Sequence, residues 1–128
     1  MNILIIIAGV IALATTVGHF TMGSKQFLLP MLAAEFDAVP KNVMHCVFHY
    51  VSAYLIISTM TLLAVGFGAW EGDGSAPLID FIATNFAVFA IWQLVLAIRS
   101  DIPRAPVKLF QWMFFALIAI FALLGARL

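Results

Sequence analysis

The chain has 128 residues and no formal net charge, and it is 65% hydrophobic and only 9% charged. A typical soluble domain carries about 25% charged residues, so this composition excludes an ordinary water-soluble domain. No basic patch is large enough for nucleic acid, which needs clustered Lys and Arg against phosphates.

The length allows one domain, residues 1–128. Four long apolar runs fill most of it, and each is about the ~20 residues that cross ~30 Å of hydrocarbon. Spans are expected at about residues 3–22, 42–66, 77–99 and 106–126. Only helices and closed barrels pair every backbone group inside lipid. Barrel strands would alternate polarity over ~10 residues, whereas these runs are continuously apolar, so helices follow. The expected fold is all-α: an antiparallel four-helix transmembrane bundle with a short interfacial helix between helices one and two.

The first run begins at Ile3 with no Lys or Arg before it. Ala12-Leu13-Ala14 has the look of a signal-peptide cleavage site, but such a peptide wants a positive leader. The run therefore reads as a retained helix. The next stretch, Thr21 to Asn42, carries Phe27, Leu28, Met31, Leu32 and Phe36 at helical spacing, interrupted by Pro30. It reads as an extension of helix one followed by a short helix lying in the interface. Pro40, Pro77 and Pro106 sit near the starts of helices two, three and four, where a missing N–H costs nothing. Ser75 is the expected N-cap of helix three. Gly66 and Gly68 end helix two, and Gly125 lies near the end of helix four. The single cysteine, Cys46, forms no disulfide within the chain and is expected to pack as a small apolar residue.

Orientation follows from Lys and Arg, which stay cytoplasmic. Lys25, Lys41, Arg99, Arg104 and Lys108 fall on one side of the expected spans, and only Arg127 on the other. Both termini are therefore expected outside, periplasmic if the membrane is a bacterial inner membrane. The long connection between helices one and two is expected in the cytoplasm. Trp70, Trp92 and Trp112 lie near span ends, in the belt position for tryptophan.

The residues able to carry chemistry are few. His19 closes helix one, and His45 and His49 open helix two, four apart on one helix face. Ser52, Ile56 and Thr59 continue that stripe. On helix one, Ala8, Ala12, Thr16, His19 and Gly23 form a stripe of small residues, which lets helices approach closely. Gln93 and Gln111 fall in the same cytoplasmic half and, with Ser52 and Asn85, are the expected polar lining of a pocket. Neutral imidazole ligates transition metals, so His19, His45 and His49 are candidate ligands of an open metal site, or of haem iron held between His19 and His49. The alternative is that they hydrogen-bond across helices and hold the packing. Asp80, in the first turn of helix three, is favoured there by the helix dipole. Asn85 is expected to bond across helices, or to carry protons from Asp80 toward His49. The six methionines form no compact group and read as packing.

Gly18-His19-Phe20-Thr21-Met22-Gly23, then Leu28-Leu29-Pro30-Met31-Leu32 and Phe48-His49-Tyr50-Val51-Ser52, resemble segments of small uncharacterised bacterial four-helix membrane proteins. Those share a His, a Gly four residues on, and an aromatic-His pair opening helix two. Here Phe48 stands where Trp is expected. The resemblance implies that His19, Gly23 and His49 form a shared unit, and it implies no activity. Small multidrug transporters, of similar size, rely on a carboxylate in the middle of helix one, and this helix has none.

Three functions are compatible with these residues. The first is a non-enzymatic structural or accessory protein of the lipid bilayer, self-associating as a homo-oligomer or within a larger membrane complex. Alanines 116, 119, 122 and 126 would supply its contact stripe. The second is a metal- or haem-binding redox protein using the cytoplasmic-side histidine cluster. The third is a transporter or channel component.

Overall fold

The structure is a computed structural model that describes every residue from Met1 to Leu128. It is all-helical, with five helices and no strand. We label them α1 (Ile3–Ala33), α2 (Ala38–Gly66), α3 (Ser75–Arg99), α4 (Ala105–Lys108) and α5 (Gln111–Arg127). By length and composition α1, α2 and α3 can each cross a membrane, consistent with an integral membrane protein. α5 has 17 residues. At ~1.5 Å per residue it covers about 25 Å, short of the ~30 Å of hydrocarbon that a spanning helix needs.

One buried core joins four helices: Ile5, Ala8 and Ala12 of α1, Leu55 and Leu62 of α2, Phe86 of α3 and Ile118 of α5 are among its members. α5 packs between α1 and α3, and α2 packs on the other side of α1. α2 and α3 touch only lightly, through Tyr54, whose ring lies 5.6 Å from Phe86 and 5.4 Å from Phe89. The outward faces stay apolar: Ile57, Ile91 and Trp92 are each more than 60% exposed. Contiguous apolar exteriors suit lipid rather than water. The small-residue stripe of α1 packs inward as its spacing predicts, with Ala8, Ala12 and Thr16 buried. On α2 the inward stripe is Ser52, Leu55, Thr59 and Leu62, and Ile56 faces out. The alanine stripe of α5 is used within the chain, where Ala119 and Ala122 join the core.

Three helix termini meet at Asn2. Its side-chain Oδ1 caps α1 by accepting from the N–H groups of Leu4 and Ile5, at 3.1 and 3.2 Å. Its Nδ2 donates to the Gly125 carbonyl at 2.7 Å, and its backbone N–H donates to the Gly66 carbonyl at 2.7 Å. Glycine is required at both acceptors. A Cβ on Gly66 would lie 2.9 Å from the backbone N of Ile6, and one on Gly125 2.5 Å from Ile5 Cγ1. Gly66 thus serves close packing. The left-handed residue that ends α2 is Gly68, at φ +77°. The N–H groups of Gly68 and Ala69 donate to the carbonyls of Val65 and Ala64, the Schellman pattern.

Three expectations need correction. No separate interfacial helix lies between the first two long helices. α1 instead continues to Ala33, through a π-helical segment at His19–Leu28. Pro30 gives the physical reason: it lacks an N–H and its ring crowds the carbonyl four residues back, and a wider turn before it accommodates the mismatch. The extension then folds onto the start of α2, where Leu28, Met31 and Phe48 form a second small core. Ser75 is the first residue of α3 and Gly74 its cap, and the Ser75 hydroxyl donates to the Gly72 carbonyl instead. The fourth run is broken at Leu109 (φ −100°, ψ 58°) into α4 and α5. The Pro106 carbonyl, which a continuous helix would give to a backbone N–H, accepts from the Trp112 indole at 2.8 Å.

Candidate functional site

His19 stands at the junction where α1 changes from α to π geometry. π-turns inside helices are often found at functional positions. Its Nε2 lies 2.8 Å from Ser52 Oγ and 3.2 Å from the Phe48 carbonyl. The Ser52 hydroxyl donates to that same carbonyl at 2.9 Å. A carbonyl only accepts, and a serine has one proton to give. The Nε2 of a neutral His19 therefore carries the ring proton, and Nδ1 is left as an acceptor with no hydrogen bond inside the chain. The ring also stacks on Phe48, with centroids 4.1 Å apart.

The other two imidazoles lie apart from this arrangement. The His49 ring meets the edge of Phe48, and His45 lies 5.1 Å from His49 between centroids. Phe48 stacks on His19 and meets His49 edge-on, so an aromatic ring contacts both residues proposed to hold haem. His49 is exposed and His45 half-buried. No group of three or more His, Cys, Asp or Glu side chains comes together to hold a metal. His19, with its Nε2 committed to α2, does not converge with His45 and His49 on one ion, and Cys46 is free and exposed. The donor set does not fit a three-imidazole metal site.

Gln93 and Gln111 do meet. Gln93 Nε2 donates to Gln111 Oε1 at 2.8 Å, joining α3 to the first residue of α5. Gln93 Oε1 is the one buried side-chain polar atom without a partner. Asn85 bonds neither across helices nor toward a histidine: its Nδ2 donates to the Phe81 carbonyl of its own helix. Asp80 pairs with Arg127 at 2.9 Å. Arg127 closes α5 two residues after Gly125, at the Asn2 end, so the expected route from Asp80 through Asn85 to His49 has no continuity. α3 begins at Ser75, so Asp80 lies beyond its first turn rather than in it, and spacing alone missed its pairing with Arg127 in the last turn of α5.

Two adjoining spaces flank His19. One, of ≈ 210 Å³, is lined by Ala14, Thr15, Gly18, His19, Met22 and Gly23 of α1, Val51 and Leu55 of α2, and Phe110, Gln111, Phe114 and Phe115. The other, of ≈ 290 Å³, shares His19, Gly23, Val51 and Gln111 and extends over Phe27, Met44, Val47 and Phe48. Gly18 is telling. A Cβ there would meet nothing within 4 Å, and Gly in a helix costs about 1 kcal/mol relative to Ala. Packing does not require that glycine. A Cβ on Gly23 would also make only ordinary contacts, 3.6 Å to Phe48 and 3.8 Å to His19 Nδ1. The α1 histidine was legible in the sequence. The aromatic wall was not, because Phe110, Phe114 and Phe115 read as plain membrane-facing residues until α5 is placed. Gly18, next to His19, was the one available signal.

Comparison with known proteins finds no match for this chain among family models, curated proteins or solved structures.

Proposed function

We propose that this chain is an antiparallel four-helix membrane bundle with a structural or accessory role rather than a catalytic one. The observation that carries this reading is where the polar side chains of the long helices go. His19 is tied to Ser52 and the Phe48 carbonyl, Thr16 to Thr59 at 3.1 Å, Gln93 to Gln111 and Asn85 to its own helix. The first three of these hold helices to one another. His19 and Ser52 are of base and nucleophile type, but the Ser52 hydroxyl gives its proton to the Phe48 carbonyl and no third side chain bonds the imidazole to orient it as a base. Asn2, Gly66 and Gly125 meet at one end, and this supports the alternating run of the helices. The excess of Lys and Arg in the two opposite connections supports an orientation with both termini outside and the α1–α2 connection cytoplasmic.

The test compares the histidines. His19→Ala should lower stability in micelles, read by denaturant unfolding, by about 1–2 kcal/mol through its lost bonds. His45→Ala and His49→Ala should each change it by less than about 0.5 kcal/mol. A metal or haem bound in stoichiometric amount and lost in His49→Ala would overturn the reading. For orientation, a cysteine introduced at Asp73 in a Cys46→Ala background should react with an impermeant reagent only from outside the cell.

A further inference from the structure

We propose that the chamber beside His19 binds a neutral, lipid-soluble ring that carries a hydroxyl group, of the phenol or hydroquinone class. The inference rests on the bundle reading above for its membrane setting and goes beyond it in assigning a ligand.

Size sets the first limit. An apolar cavity of about 150 Å³ takes benzene, so a space of ≈ 210 Å³ takes one substituted ring. Phe110, Phe114 and Phe115 line it, and aromatic walls favour a flat ring by offset or edge-on stacking. Charge sets the second limit. No Lys, Arg, Asp or Glu lines either space, so nothing there would recognise the phosphate of a lipid headgroup.

Hydrogen-bond chemistry sets the third. His19 Nδ1 is an acceptor without a partner, beside Gly23. Gln111 uses Oε1 to accept from Gln93, which leaves its amide protons unused by the chain. His19 and Gln111 both line this space, so its wall includes one residue with a free acceptor and one with a free donor, and a hydroxyl would satisfy both by giving its proton to Nδ1 and accepting from the Gln111 amide. Gly18 completes the case, since it keeps open a volume that no side chain of the protein occupies.

The experiment uses the full chain in micelles, with para-pentylphenol as probe and pentylbenzene as the same shape without the hydroxyl. Calorimetric titration should give saturable one-to-one binding of the phenol, tighter than pentylbenzene by about tenfold or more, the equivalent of one well-made hydrogen bond. Gly18→Leu should abolish binding without lowering the unfolding midpoint, and Ala14→Leu, on the same wall, should weaken it. No saturable binding, equal binding of the two probes, or undiminished binding in a folded Gly18→Leu protein would overturn the proposal. So would loss of fold in both variants, because the space would then not be open. A chain that is not helical in micelles defeats the bundle reading instead, whereas a helical chain that ignores the phenol defeats only the site.

Discussion

The two ends of the helices are built on opposite uses of glycine. Near Asn2, Gly66 and Gly125 let backbone meet backbone, with would-be Cβ atoms at 2.9 Å or less from α1. Near His19, Gly18 and Gly23 leave room that nothing in the chain fills to closer than 3.6 Å. The first end is fixed by main-chain and cap hydrogen bonds. The second is held by side chains, His19 to Ser52 and Gln93 to Gln111, with the π-segment of α1 starting at His19 and two cavities that share the imidazole as lining. Close backbone contact at one end and unfilled volume at the other divide the helices into a packed end and an open one.

The contrast is sharpest under substitution. Gly66→Leu should cost about 3 kcal/mol or more, because the obstruction is the Ile6 backbone and overpacking of this kind is not relieved by a rotamer change. Gly18→Ala should instead raise stability by up to about 1 kcal/mol, the helix-propensity gain. Denaturant unfolding in micelles measures both, and similar effects at the two sites would break the comparison. Next in size, Asn2→Ala removes the α1 cap and the link to Gly125, and about 1–2 kcal/mol should be lost. Amide exchange should rise first at Leu4 and Ile5, and exchange spreading from His19 instead would place the weak point at the wrong end. Smallest, Arg127→Ala should cost less than about 1 kcal/mol and matter less in high salt, since the pair with Asp80 is largely solvent-exposed at 62% and 41%. An effect as large as that of Asn2→Ala would mean that this pair, and not the cap, fastens the ends.

The sequence by itself determined the helical class and runs long and apolar enough to cross a membrane. Runs of apolar residues as long as a bilayer is thick admit few other solutions, and Pro40, Pro77 and Pro106 mark the beginnings of helices by a local rule that needs no neighbours. It also singled out His19, Gln93 and Gln111 as polar groups turned inward. Tertiary structure decided what they do. The partners of His19 lie 29 and 33 positions away, and no spacing within one helix reports contacts across two. The π-segment turns the residues after His19 out of their α-helical register, and the break at Leu109 sets where Gln111 and Phe114 stand. Three imidazoles that look alike in the chain therefore separate into one half-buried pin bonded across helices and two rings with no hydrogen bond to another helix. Hydropathy is a sum over neighbours in sequence, whereas a hydrogen bond or a cavity depends on neighbours in space.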